Sequence, residues 1–156
     1  MTDLYDLPGH LIRRLHQISV AIFAAKVAAA GFDITPVQFA ALAVINRNPG
    51  IDQVTLAGLI AYDPVTIGGV VDRLCQKGLV HRTVSKSDRR ARVLELTDEG
   101  SSVLARVLPA IHETQRLILG GLSDDERAQF VPLLRKVTEA GNDLSRAPLR
   151  PVRSPG

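Results

Sequence analysis

The stretch from Tyr62 to Thr97, YDPVTIGGVVDRLCQKGLVHRTVSKSDRRARVLELT, decides how the chain folds. Its period changes in the middle. In the first part Val65, Val70, Val71 and Leu74 supply the buried side of a helix from Pro64 to Lys77. Asp63 stands at the N-cap, Pro64 at the first helical position and Gly78 just past the end. From Leu79 to Val84 the pattern is that of a strand. Ser85 to Arg90 is a polar turn, and Arg92 to Leu96 is the returning strand. A lone hairpin is marginal in water, so this one needs a helical layer beneath it.

Working outward, that layer is easily found. Leu11, Leu15, Ile18, Ile22 and Ala25 mark one face of a helix from His10 to about Ala30, after a short leader ending in Pro8-Gly9. Gly31 stops it. Thr35-Pro36 starts a second helix through Phe39, Leu42 and Ile45, which ends before Asn48-Pro49-Gly50. A short third helix spans Thr55 to Ala61. Downstream, a fifth runs from Asp98 to Leu119, bent at Pro109, and Gly120-Gly121 breaks it. Ser123 and Glu126 form a capping box for a sixth, to about Ser145. The composition of residues 147–156, with three prolines and two arginines, predicts a disordered tail.

Composition agrees with helices packed on helices. The chain has 156 residues, 46% of them hydrophobic but only 4% aromatic, and no Trp, so Leu, Val, Ile and Ala must build the core. One cysteine, Cys75, excludes a disulfide framework and a thiolate zinc site, and reads as a small buried hydrophobe. His10, His16, His81 and His112 are scattered, so no metal and no cofactor is expected. Charge-free stretches such as Ile34 to Asn46 fall short of a membrane span, and no signal-peptide core is present. The expected compartment is the cytoplasm.

Charge is unevenly placed. Between Arg73 and Arg92 seven Lys/Arg face one acid, a local charge of +6 within an overall +3, so the rest of the chain carries −3. Such a field suggests a polyanion; the plain alternative is a solvated helix face with a charged turn. Helix, tight turn, helix and basic hairpin is the order of a winged helix-turn-helix over residues 35–97. The second helix offers Thr66, Gly68, Gly69 and Arg73 to a major groove. Two glycines in a helix interior cost about 1 kcal/mol each relative to alanine. Close approach to DNA explains them, and so does close packing on the neighbouring helix. The wing tip, Lys86, Ser87, Asp88, Arg89, Arg90 and Arg92, can reach phosphates or the minor groove.

Asp88-Arg89-Arg90-Ala91-Arg92-Val93-Leu94-Glu95-Leu96-Thr97-Asp98-Glu99-Gly100 resembles the wing signature of the MarR (multiple antibiotic resistance regulator) family. The preceding Val71 to Val80 is similar to that family's end of the recognition helix, and the resemblance spans residues 10 to 145. It implies a mainly α fold with a small β-hairpin. Residues 1–34 and 98–146 would form a helical dimerisation region interleaved with a second copy. It also implies a homodimeric repressor on a pseudo-palindromic double-stranded operator, released by a small, often aromatic, acid. By motif position Asp88 would brace the wing through an ion pair with a nearby arginine, and Arg90 would enter the minor groove.

For the effector, His10, Arg14 and Gln17 share one stripe of the first helix, and with Phe39 they could border a cleft for an aromatic carboxylate. The ordinary alternative is a solvated helix edge with Arg14 paired to an acid of the other subunit. An enzyme is not expected, since no nucleophile elbow, phosphate loop or carboxylate pair beside a histidine is present. A winged helix that binds protein instead of DNA would not need the wing arginines.

Overall fold

The computed structural model describes residues 3–151. Helix α1 spans Pro8–Ala29, α2 Pro36–Arg47, α3 Gln53–Leu59, α4 Pro64–Gln76, α5 Asp98–Ile118 and α6 Asp124–Ala140. Strands β1 (Ile51–Asp52), β2 (Val80–Val84) and β3 (Arg92–Leu96) make an antiparallel sheet in the order β1-β3-β2. The fold is therefore mostly helical with a small sheet. Short 3-10 turns flank it at Leu4–Asp6 and Asn142–Leu144. Helix α1 begins at Pro8, inside the expected leader, and α6 ends at Ala140, before the expected Ser145.

Local chemistry sets most of these boundaries. Thr35 and Gln38 cap α2 reciprocally, as Ser123 and Glu126 cap α6. Asp52 accepts the Thr55 N–H at 2.8 Å, so α3 starts at Gln53 rather than Thr55. The same Asp52 lies in β1, opposite Val93, while Ile51 lies opposite Leu94. Two residues carry no alternation to read, which is why the sequence predicts two strands where the sheet has three.

Two apolar cores fill the molecule. The larger joins α2, α3, α4, the sheet and the start of α5, with Leu42, Ile45, Leu56, Ile67, Leu74 and Leu94 fully buried. Burying each such side chain contributes about 1.5–3 kcal/mol. The smaller holds Phe23, Val27, Ile34, Val107 and Ile111 between α1 and α5, and Phe32 and Phe39 touch both cores. Where α5 enters, a Cβ on Gly100 would collide with the Leu79 carbonyl. Only glycine lets the helix pass the hairpin there.

Two expectations are corrected. The stripe Leu11, Ile18 and Ala25 of α1 is exposed, and Phe23 and Val27 are buried instead. Helix α6, 17 residues long, has no buried residue at all. Residues 147–151, expected to be disordered, lie against α3, where the Arg150 N–H donates to the Gly58 carbonyl at 2.8 Å; residues 152–156 fall outside the described residues.

Candidate nucleic-acid interface

Helix α4 puts Ile67, Val70, Val71 and Leu74 into the core. These recur at three- and four-residue steps, one face of a helix. Val65, expected on that side, lies two residues before Ile67, which turns it about 200° away. It is 87% exposed. The outward face therefore carries Val65, Thr66, Gly69 and Arg73.

Each predicted contact residue on α4 has a definite place. Thr66 serves the cap: its N–H donates to Asp63 Oδ1 at 2.9 Å and its hydroxyl to Oδ2 at 2.6 Å. That hydroxyl, and then the amide, hold the Asp63 carboxyl below its usual range. A Cβ on Gly68 would meet only the Gln53 amide nitrogen, at 3.5 Å, and one on Gly69 would meet nothing within 4 Å. Close helix packing therefore does not account for Gly69. Arg73 is exposed and forms no ion pair among the described residues.

The wing is stitched together by its own polar side chains. The Ser85 N–H donates to the Ala91 carbonyl at 3.0 Å, and the Ala91 N–H to the Asp88 carbonyl at 3.0 Å. Ser85 Oγ accepts the N–H groups of Ser87 and Asp88 at 3.3 Å each. Asp88 Oδ1 accepts the Arg90 N–H at 2.9 Å. Asp88 thus braces the tip through backbone hydrogen bonds, and the expected ion pair to an arginine is not formed among the described residues. Arg92 Nη1 donates to the Arg89 carbonyl at 3.4 Å. Lys86, Arg89 and Arg90 are exposed and pair with no acid there.

One positioning contact escapes sequence reasoning. Arg82 on β2 bridges Asp72 on α4 at 2.7 Å, tying the hairpin to the helix. Ten residues across a turn give no periodic signal for such a pair. Lys77, at the end of α4, similarly holds the Asp33 carbonyl and lies 3.2 Å from its carboxylate.

The four effector candidates are not gathered within one chain. Phe39 packs at the joint between the two cores, near Phe23 and Val27. His10 lies 13 residues before Phe23, about 20 Å along the helix axis. His10 Nε2 is buried without a hydrogen-bond partner among the described residues, and its ring meets Tyr5 edge-on at 5.7 Å. Gln17 accepts from Arg13 at 2.9 Å, and Arg14 is exposed. Cys75 is half-buried, and burial pushes its thiol pKa up. Among the described residues no single helix is long and apolar enough to cross a membrane.

Comparison with known proteins agrees with this geometry. The sequence pattern of the MarR family matches residues 34–91. The HTH-type transcriptional repressor NicR of Pseudomonas putida is 32% identical over 138 residues, covering 88% of this chain and 86% of NicR. The PcaV transcriptional regulator from Streptomyces coelicolor, solved with its natural ligand, superposes with a TM-score of 0.82 at 35% identity, covering 90% of this chain and 98% of that one. BpsR from Bordetella bronchiseptica, whose DNA binding is regulated by 6-hydroxynicotinic acid, gives 0.83 at 29% identity, covering 89% and 98%.

Proposed function

The chain belongs to the MarR family, and from that premise we propose that it is a homodimeric repressor that binds a pseudo-palindromic operator and is released by a small aromatic acid. The observation that carries this reading is the pairing of an exposed α4 face with a wing whose Lys86, Arg89 and Arg90 have no acid partner among the described residues. Arg73, Thr66, Gly68 and Gly69 would meet the major groove. Lys86, Ser87, Arg89, Arg90 and Arg92 would meet the backbone or minor groove, with Asp88 holding the tip in shape.

Dimerisation is supported by what a single chain leaves uncovered. Leu11, Ile12 and Ile18 on α1 and Leu133, Leu134 and Val137 on α6 are exposed. A 17-residue helix that buries nothing has little to hold it in water. A second copy would cover both faces and set the two α4 helices about 34 Å apart, one turn of duplex.

Release follows from linkage. An acid that prefers a dimer with wrongly spaced reading heads weakens DNA binding, and DNA weakens its binding equally. Phe39, at the joint between the cores, is suited to sense such a rotation, and Arg14, with His10 and Gln17, to hold a carboxylate from the helical side.

A gel shift with the upstream region of its own gene tests the reading. We expect a discrete complex whose affinity falls steeply with salt, by about 0.9 in log K per log salt for each phosphate contact. Shallow salt dependence with no preference for a palindrome would overturn it.

A further inference from the structure

The stretch after α6 is fastened at several points. The Asn142 side chain clamps Leu149: Nδ2 donates to its carbonyl at 3.1 Å and Oδ1 accepts its N–H at 2.8 Å. One residue on, the Arg150 N–H reaches the Gly58 carbonyl of α3. A Cβ on Gly58 would lie 2.9 Å from the Arg150 Cβ, so any other residue there must displace the strap. Gly58 is the notch in which it sits.

Arg146, Ala147, Pro148 and Arg150 line a shallow cleft of about 240 Å³ together with the Tyr62-Asp63-Pro64 turn that opens α4. Both arginines are exposed. Arg146 forms no ion pair among the described residues. Arg150 has Asp143 at 3.9 Å, a separation at which exposed groups gain little in water. The acid beside them is Asp63, the N-cap of α4: Thr66 donates to both of its oxygens, and Arg146 adds only the weakest of the attractions on its charge.

We propose that residues 146–150 are a further DNA-contacting strap, in which Arg146 and Arg150 bind backbone phosphates along the edge of the groove that α4 enters. The inference rests on the DNA-binding reading above. A recognition helix enters the groove with its N-terminal residues, which brings the flanking backbone level with its first turn. The strap lies at that level. Guanidinium forks match phosphate oxygens, and such contacts fix position without reading sequence.

The test uses the full chain and two duplexes, one from its own upstream region and one of scrambled sequence, followed by fluorescence anisotropy across a salt series. Arg146→Ala with Arg150→Ala should weaken both duplexes by the same factor. The log K against log salt slope should become shallower by about 0.9 per lost contact, up to four contacts per dimer. Gly58→Ala should reproduce that loss with helix content unchanged, because it displaces the strap, and both arginines with it, without altering either side chain. Wild-type affinity and slope in the double variant would overturn the proposal, as would a loss confined to the upstream duplex. An unmutated chain that binds neither duplex would overturn the DNA-binding reading itself, and the strap with it.

Discussion

A methyl group added at Gly100 has nowhere to go, because the Leu79 carbonyl occupies its place. The clash is with backbone, so either α5 or the hairpin must move, and overpacking of this kind costs about 1–3 kcal/mol or more. Gly100→Ala should lower the midpoint of thermal unfolding accordingly. Gly69 is the opposite case. Its added methyl meets nothing within 4 Å, so Gly69→Ala should raise helix stability by up to about 1 kcal/mol. Operator affinity should nevertheless fall, since that methyl points at the proposed groove. A variant that gains stability and keeps wild-type affinity would show that Gly69 has no part in binding. Cys75 belongs to the same scale. With its thiol pKa raised by burial, peroxide should leave DNA binding unchanged, and Cys75→Ser should behave as the parent in a gel shift.

Elements are held by caps, and two of these respond to acid. Thr66 pulls the Asp63 carboxyl below its usual range, through its hydroxyl and then its amide. At Asp52 burial works against the charge, but the hydroxyl and amide of Thr55, with further backbone donors, outweigh it and the pKa is again lowered. A carboxyl whose folded pKa is depressed contributes stability that is complete above its unfolded value of about 3.9 and is lost as pH falls through the folded value. Melting curves should therefore be flat in this respect near neutrality and drop below about pH 4. Asp63→Asn, which caps comparably without a charge, should lose less on acidification than the parent. The Asp52 cap is not read from the sequence, which places the third helix from Thr55, but the Asp63 cap was legible, because its partner lies three residues away. So was the hairpin, from its turn and its alternation. What was not legible is long-range: β1 against β3, Arg82 against Asp72, and the strap against Gly58 join residues that no local period relates. The phase of α4 lay in between. Val65 is apolar, and only the packing of Ile67 shows that it points outward.

At the scale of the molecule, the first-helix stripe is apolar, as the sequence predicts, but is not internal to a single chain. Leu11 and Ile18 are exposed, as are Leu133 and Val137 on α6, which is the arrangement expected of a chain completed by its twin. Val137→Asp should shift sedimentation from dimer toward monomer and lower operator affinity with it, while a winged lobe that keeps its own core retains its helical signal. A dimer unaffected by charge at that position would place the interface elsewhere. The link between α4 and the wing has a different bearing. Arg82 bridges Asp72 and so links the hairpin to α4, and Asp52, at once strand residue and cap, links the sheet to α3, so the two parts proposed to contact DNA share one framework. The loop from Lys86 to Arg90 lies outside that framework and is shaped by hydrogen bonds of its own, from Ser85, Asp88 and Arg92. On the proposed reading, substitutions in the tip would alter contacts beside the half-site and leave the α4 face that meets its centre as it is.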